Sequence, residues 1–175
     1  MRKINFYLKR GQIAKDESVI ALSNKYLEKA KNNIVTMQIL SELENNKKVR
    51  KLLSIPEEYN PNEWVVICGY YSMYSCALAL ISKIGFRSKN HTATLLILDE
   101  FFVKKNYLRV EDLLIIKSAQ FQKEEIEKIS DARHSREIAQ YSITKQTTKD
   151  IAEKIKIDAF NLINKVEEIL ENKII

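Results

Sequence analysis

Apolar positions recur at intervals of three to four residues along most of this chain, a pattern that predicts helices. The pattern is broken once, by the charge-free stretch at residues 64–81, WVVICGYYSMYSCALALI. That run holds both cysteines, the only tryptophan and three of the eight tyrosines. A helix apolar nearly all round is buried in a water-soluble fold, so this stretch predicts a central rod. Small residues recur on one side of it, at Ser72, Ser75 or Cys76, Ala79 and Ser82, a stripe that lets another helix approach closely. Asn60 followed by Pro61 supplies a cap and a first-turn proline to start the rod, and Gly85 ends it.

The flanking segments read as amphipathic helices. Residues 1–15 are basic, carry Gly11 near their end and are expected as a loosely attached arm. Asp16 can cap a first helix whose stripe runs Tyr26, Ala30, Ile34, Met37 and Leu40 to about Leu43. Its phase continues across Asn32-Asn33, so a single helix is expected there. A short helix at 49–53 precedes the strongest break in the chain, between Pro56 and Pro61. A further helix is expected from Asn90 to Lys105, with Ala93, Leu96, Ile97 and Phe101 inward. The next begins near Val110 with the stripe Ile115, Ala119, Gln122, Ile126 and Ile129, then Arg133, Arg136, Gln140 and Ile143. Thr147 with Asp150 resembles a capping box opening a last helix, whose stripe is Ile151, Ile155, Ala159, Leu162, Val166 and Ile169. The expected fold is all-α, an antiparallel up-and-down bundle of four to five long helices forming one domain over residues 1–175.

Composition sharpens this picture. Three glycines and two prolines in 175 residues leave few turn signals for a strand-rich fold. The net charge of +6 suits a nucleic-acid partner and equally suits a Lys-rich solvated surface. Cys68 and Cys76 on one helix stand about 12 Å apart, too far for a disulfide, and read as core thiols in a reducing cytoplasm. The N-terminal MRKINFYLKRGQ has charges and no apolar core, so no signal peptide is read there. The central stretch has nearly the length of a membrane span, but its Gly, Ser and Tyr content and flanking Glu63 and Lys83 make it a core helix. The expected location is the cytoplasm, with no membrane partner.

Candidate chemistry is concentrated in few residues. The stripe that is apolar at Ile126 and Ile129 turns to Arg133 and Arg136 before Ile143. A guanidinium on a core-facing strip needs a partner, either a carboxylate such as Glu63, Asp99 or Glu100, or the phosphate of a ligand. There are two histidines. His134 sits beside Arg133 and can simply face solvent. His91 stands at a helix start after the basic connection Arg87 to His91, where it either packs or serves as a general base titrating near neutrality. Two histidines and two buried cysteines make no zinc spacing, and no phosphate loop, dinucleotide-binding glycine pattern or nucleophile elbow occurs, so neither metal nor cofactor is expected. Tyr70, Tyr71 and Tyr74 read either as core residues with bonded hydroxyls or as a stacking platform for bases.

Three segments resemble the HEPN family, the higher eukaryotes and prokaryotes nucleotide-binding domain. They are Tyr26 to Ala30, then Gly69 to Tyr74 running through Gly85 to Asn90-His91, and Arg136-Glu137-Ile138-Ala139-Gln140-Tyr141 with Ala159-Phe160 behind it. The resemblance spans most of residues 20–170. It implies a helical bundle, usually homodimeric, from prokaryotic toxin–antitoxin or defence-type systems, often paired with a minimal nucleotidyltransferase. Many members are metal-independent ribonucleases with an Arg followed four to six residues later by His. Here Arg136 matches that Arg, and Tyr141 stands where the His would be. The expected function is therefore binding of nucleotide or RNA phosphates, with Arg133, Arg136, Arg87 and His134 as ligand contacts and Arg136, Tyr141 and His91 as the catalytic candidates. The alternatives are a dimeric ribonuclease in which His91 or His134 joins Arg136 across the interface, and a non-catalytic structural or interaction protein.

Overall fold

The computed structural model describes residues 2–134 and 149–172, and for Arg2 and residues 129–134 the helix backbone alone. It is mostly helical, with a small two-stranded sheet. In chain order the described elements are α1 (Arg2–Lys9), β1 (Ile13–Lys15), α2 (Ser23–Asn45), α3 (Lys47–Leu52), α4 (Asn62–Lys83), β2 (Phe86–Ser88), α5 (His91–Leu98), α6 (Val110–His134) and α7 (Lys149–Glu171).

The charge-free stretch is α4, and it lies at the centre, packed against α2, α5, α6 and α7. Asn60 Oδ1 accepts from the Asn62 N–H at 3.0 Å, capping the helix where Pro61 enters it. Gly85, at φ +71°, turns the chain out of it, a conformation in which a Cβ is strained. By length and hydropathy alone α4 could cross a membrane, but most of it is buried inside the bundle. Both cysteines are buried and unpaired, and burial pushes the Cys76 thiol up to about 12, so it stays protonated.

The small-residue stripe faces α2. Ser72 Oγ donates to the Ala30 carbonyl at 3.0 Å, and Ser23 Oγ donates to the Ala79 carbonyl at 2.9 Å. Each hydroxyl thus reaches the backbone of the opposite helix, which requires alanine rather than a long side chain at the receiving position. Gly69 serves the same closeness one turn earlier: a Cβ there would lie 2.5 Å from Ile155 Cγ2 and 3.2 Å from Met37 Sδ. The predicted stripes of α2 and α7 are inward, with Ala30, Ile34 and Met37 on one and Ile155, Ala159, Leu162, Val166 and Ile169 on the other.

Several local expectations are corrected. In place of a loosely attached arm, residues 2–9 form α1, whose Ile4 is buried, and Ile13–Lys15 pairs antiparallel with Phe86–Ser88. Strands of three residues are too short to leave a period in the sequence, so an all-α reading misses them. Asp16 caps a 3₁₀ turn, Glu17–Leu22, before α2 begins. The expectation of a single helix across Asn32-Asn33 holds, since α2 runs through both. The helix expected to end at Lys105 loosens after α5 into a wider π turn, Asp99–Val103, and closes at Asn106 with φ +61°.

On α6 the buried positions are Asp112, Ile116, Ala119 and Ile126 rather than the expected Ile115 and Gln122. The face is rotated because Asp112 turns inward. It accepts from the Arg109 N–H at 2.7 Å and forms an ion pair with the partly buried Lys165 of α7. Between α3 and α4, the Arg50 guanidinium gathers backbone carbonyls: Pro56 at 2.6 Å, Tyr59 at 3.0 Å and Glu57 at 3.2 Å. This one cation fixes the loop that delivers the chain to Pro61.

Candidate functional site

The second face of α4 carries Tyr70, Tyr71 and Tyr74, and it meets α5 and α6. α5 is started by Asn90, whose Oδ1 accepts from the Ala93 N–H at 2.8 Å. This cap sets His91 at the first residue of the helix, over the tyrosines. Tyr70 Oη lies 2.8 Å from His91 Nδ1, and the Tyr74 ring lies 4.2 Å from the imidazole, centroid to centroid. The tautomer of the ring decides which of the two groups donates. Beside this pair runs a line of hydroxyls, with Ser88 Oγ 2.6 Å from Thr94 Oγ1 and Tyr74 Oη 3.2 Å from the same atom.

From α6, Lys123 reaches the same place. Its ammonium stands 5.7 Å from the Tyr70 ring centroid and 5.5 Å from that of Tyr71, within cation–π range. It is mostly buried and paired with Glu127 at 2.7 Å, while Glu127 itself is half exposed. Burial works against the Lys123 charge, but Glu127 and Tyr71 outweigh it and hold the ammonium above its ordinary range.

The electrostatics of the cluster follow from these neighbours. Burial lowers the His91 pKa below 6.5, the nearby Lys123 lowers it further and Glu124 opposes them, so the imidazole is neutral at pH 7. Burial also pushes the Tyr70 phenol well above its ordinary range, helped by Tyr74 and Tyr71, so it keeps its proton. The result is a neutral imidazole and a permanent cation on an aromatic floor. Tyr71 is the open edge, 38% exposed. Such a cluster can bind an anion at Lys123, stack a planar group on Tyr71 and exchange a proton at His91.

Of the site residues expected from sequence, His91 is in this cluster. Arg87 is not: it lies on β2, exposed, with its Nε 3.6 Å from Asp16 Oδ2. Its turn toward β1 is a consequence of the unforeseen sheet. Arg133 and His134 belong to the last turn of α6, where the backbone alone is described, and Arg136 and Tyr141 lie outside the described residues. Sequence reasoning missed Lys123. Its signal was present, because a lysine four residues after Ala119 and three before Ile126 interrupts the apolar face of α6.

Away from this cluster, a concavity of about 1040 Å³ lies between α3, the loop before α4 and the start of α7. Charges of both signs line it, and its two best-placed cations are engaged, Arg50 by the loop carbonyls and Lys149 by Asn45 Oδ1 at 3.1 Å. Among the described residues, no group of acidic, histidine and cysteine side chains is arranged to hold a metal ion. No protein-family model matches the chain, and a search of curated proteins returns no match.

Proposed function

We propose that this is a HEPN-like helical domain that binds nucleotide or RNA phosphates at the Tyr70–His91–Lys123 cluster. The observation that carries the reading is the ammonium of Lys123, mostly buried over two tyrosine rings and paired with the half-exposed carboxylate of Glu127. Glu127 is half exposed, so a phosphate entering from solvent can take its place beside the Lys123 ammonium. The neutral His91 then offers a hydrogen bond beside it, and the open face of Tyr71 accepts a base, where stacking is worth about 1–3 kcal/mol. A homodimer from a prokaryotic toxin–antitoxin or defence-type system belongs to the same reading, with a minimal nucleotidyltransferase as partner. In favour of self-association, α6 leaves Val110, Leu114 and Phe121 exposed at helical spacing.

The test is titration of the protein with ATP and with short RNA at low and moderate salt. Binding that strengthens as salt falls and is weakened in Lys123→Ala supports the proposal. No binding at low salt contradicts it. A second reading, a metal-independent ribonuclease, is favoured by one observation, the imidazole held neutral and hence able to accept a proton. Cleavage of structureless RNA in chelator, lost in His91→Ala, supports that reading. Wild-type protein that leaves the RNA intact excludes it.

A further inference from the structure

The basic N-terminal segment is no free arm, and fixing it in place concentrates charge. Residues 3–17 together with 86–90 carry six cations, Lys3, Lys9, Arg10, Lys15, Arg87 and Lys89, against two carboxylates, Asp16 and Glu17. That local excess of +4 is most of the chain's net +6. All six cations are exposed.

The backbone shows why they share a surface. α1 ends at Lys9, and the chain turns through Arg10 and Gly11, at φ +64°, with the Gln12 N–H donating to the Tyr7 carbonyl at 3.0 Å. Gln12 in turn accepts from the Lys89 N–H at 2.9 Å, extending the β1–β2 ladder by one pair. The end of α1 is therefore tied to the end of the ribbon, and Lys9 and Arg10 precede Gln12, the residue bonded to Lys89, by three and two residues. Along β2, Arg87 and Lys89 project from the same face, about 7 Å apart. Lys3 and Phe6 on α1 and Arg10 just after it follow one another at three to four residues, with the Arg10 guanidinium 4.3 Å from the centre of the half-exposed Phe6 ring.

We infer that α1 and the β1–β2 ribbon form a second binding surface, for the phosphate backbone of a single-stranded nucleic acid. The partner is an extended polyanion, because the cations are spread along a helix and a ribbon rather than converging on one point. It is a strand rather than a membrane, because the patch exposes one aromatic ring, already covered on a face by Arg10, and no broad apolar face to insert. This inference rests on the proposed phosphate site at Lys123, and assigns to α1 and the ribbon the phosphates that flank the nucleotide held there.

The test uses the full chain and fluorescent oligouridines of about 4 and about 16 nucleotides, a span typical of strand-binding sites. Wild type, Lys123→Ala and the triple variant Lys9→Gln/Arg10→Gln/Lys89→Gln are compared by anisotropy at about 50 and about 200 mM salt. The three exposed substitutions leave the buried contacts of α1 intact, and a thermal melt confirms the fold. The triple variant is expected to bind the long strand at least about tenfold more weakly, with the log–log salt slope reduced by about 2. Its affinity for the short strand stays near wild type, whereas Lys123→Ala weakens both. Long-strand binding by the triple variant equal to wild type overturns the inference while leaving the Lys123 site standing. Failure of wild type to bind either strand overturns both. Wild-type binding to phosphatidylglycerol vesicles, lost in the triple variant while long-strand binding is kept, also overturns it and makes the surface a membrane contact.

Discussion

α4 has two faces built on opposite terms. Toward α2 and α7 it presents Gly69, Ser72 and Ala79, and the hydroxyls that cross the seam end on backbone carbonyls. Toward α5 and α6 it presents Tyr70, Tyr71 and Tyr74, and the contacts end on His91, Thr94 and Lys123. The first face gains stability from closeness, since small residues let the helices approach and the Ser72 and Ser23 hydroxyls are spent on the backbone. The second holds its groups apart with rings and leaves titratable atoms beside an exposed edge. The one helix thus separates the task of holding the bundle from the task of meeting a ligand, and substitutions on the two faces should fail differently.

The largest effects on stability belong to the tight face. Met37 is fully buried against it, and Met37→Ala is expected to cost about 2–5 kcal/mol, read as a lowered midpoint in urea unfolding. Gly69→Ala comes next. Alanine favours helix by about 1 kcal/mol, but its Cβ meets Ile155 Cγ2, a methyl on a branched carbon that cannot swing away, so a net loss of about 1–3 kcal/mol is expected. A Gly69→Ala protein as stable as wild type would mean that α4 and α7 are not so closely packed. Neither substitution touches Lys123, so ligand affinity per folded molecule should be unchanged.

The aromatic face should answer with binding and pH rather than with large losses of stability. Lys123→Ala should weaken phosphate ligands at least about tenfold, the scale of a lost charge-assisted hydrogen bond, while changing the unfolding midpoint little. The smallest effect is the pH dependence carried by His91. Its pKa is lower folded than the unfolded value of 6.5, so the unfolded chain binds more protons between the two values. This contribution is complete above pH 6.5 and is lost as pH falls through that window. Thermal melts from about pH 7.5 to about pH 5.5 should show a decline that is smaller in His91→Gln.

Much of the tight face was legible in the sequence. A charge-free run, a small-residue stripe and the apolar periods of α2 and α7 all point to the same packing, and the structure puts Ser72, Ala79, Ile155 and Ala159 there. The aromatic face was legible in part. The three tyrosines and His91 were conspicuous, but their meeting depends on where α5 lies across α4, which no local pattern states. Lys123 was passed over because an apolar stripe on α6 can be drawn one residue away, through Ile115 and Gln122. What selects the true face is the inward turn of Asp112 to Lys165, a contact between residues far apart in sequence. The short ribbon escaped for the same reason: its pairing joins Ala14 to Arg87, and that register drew Arg87 to Asp16 and away from His91.

The most direct test of the aromatic face follows the imidazole itself. The chain has two histidines, so the ¹H–¹⁵N imidazole signals of His91 can be assigned by comparison with His91→Gln and followed while oligouridine or ATP is added at low salt. The account predicts that His91 titrates below 6.5 in the free protein and shifts saturably with ligand, and that Lys123→Ala weakens the response. A His91 signal that titrates at an ordinary value and stays still while ligand is bound would contradict it.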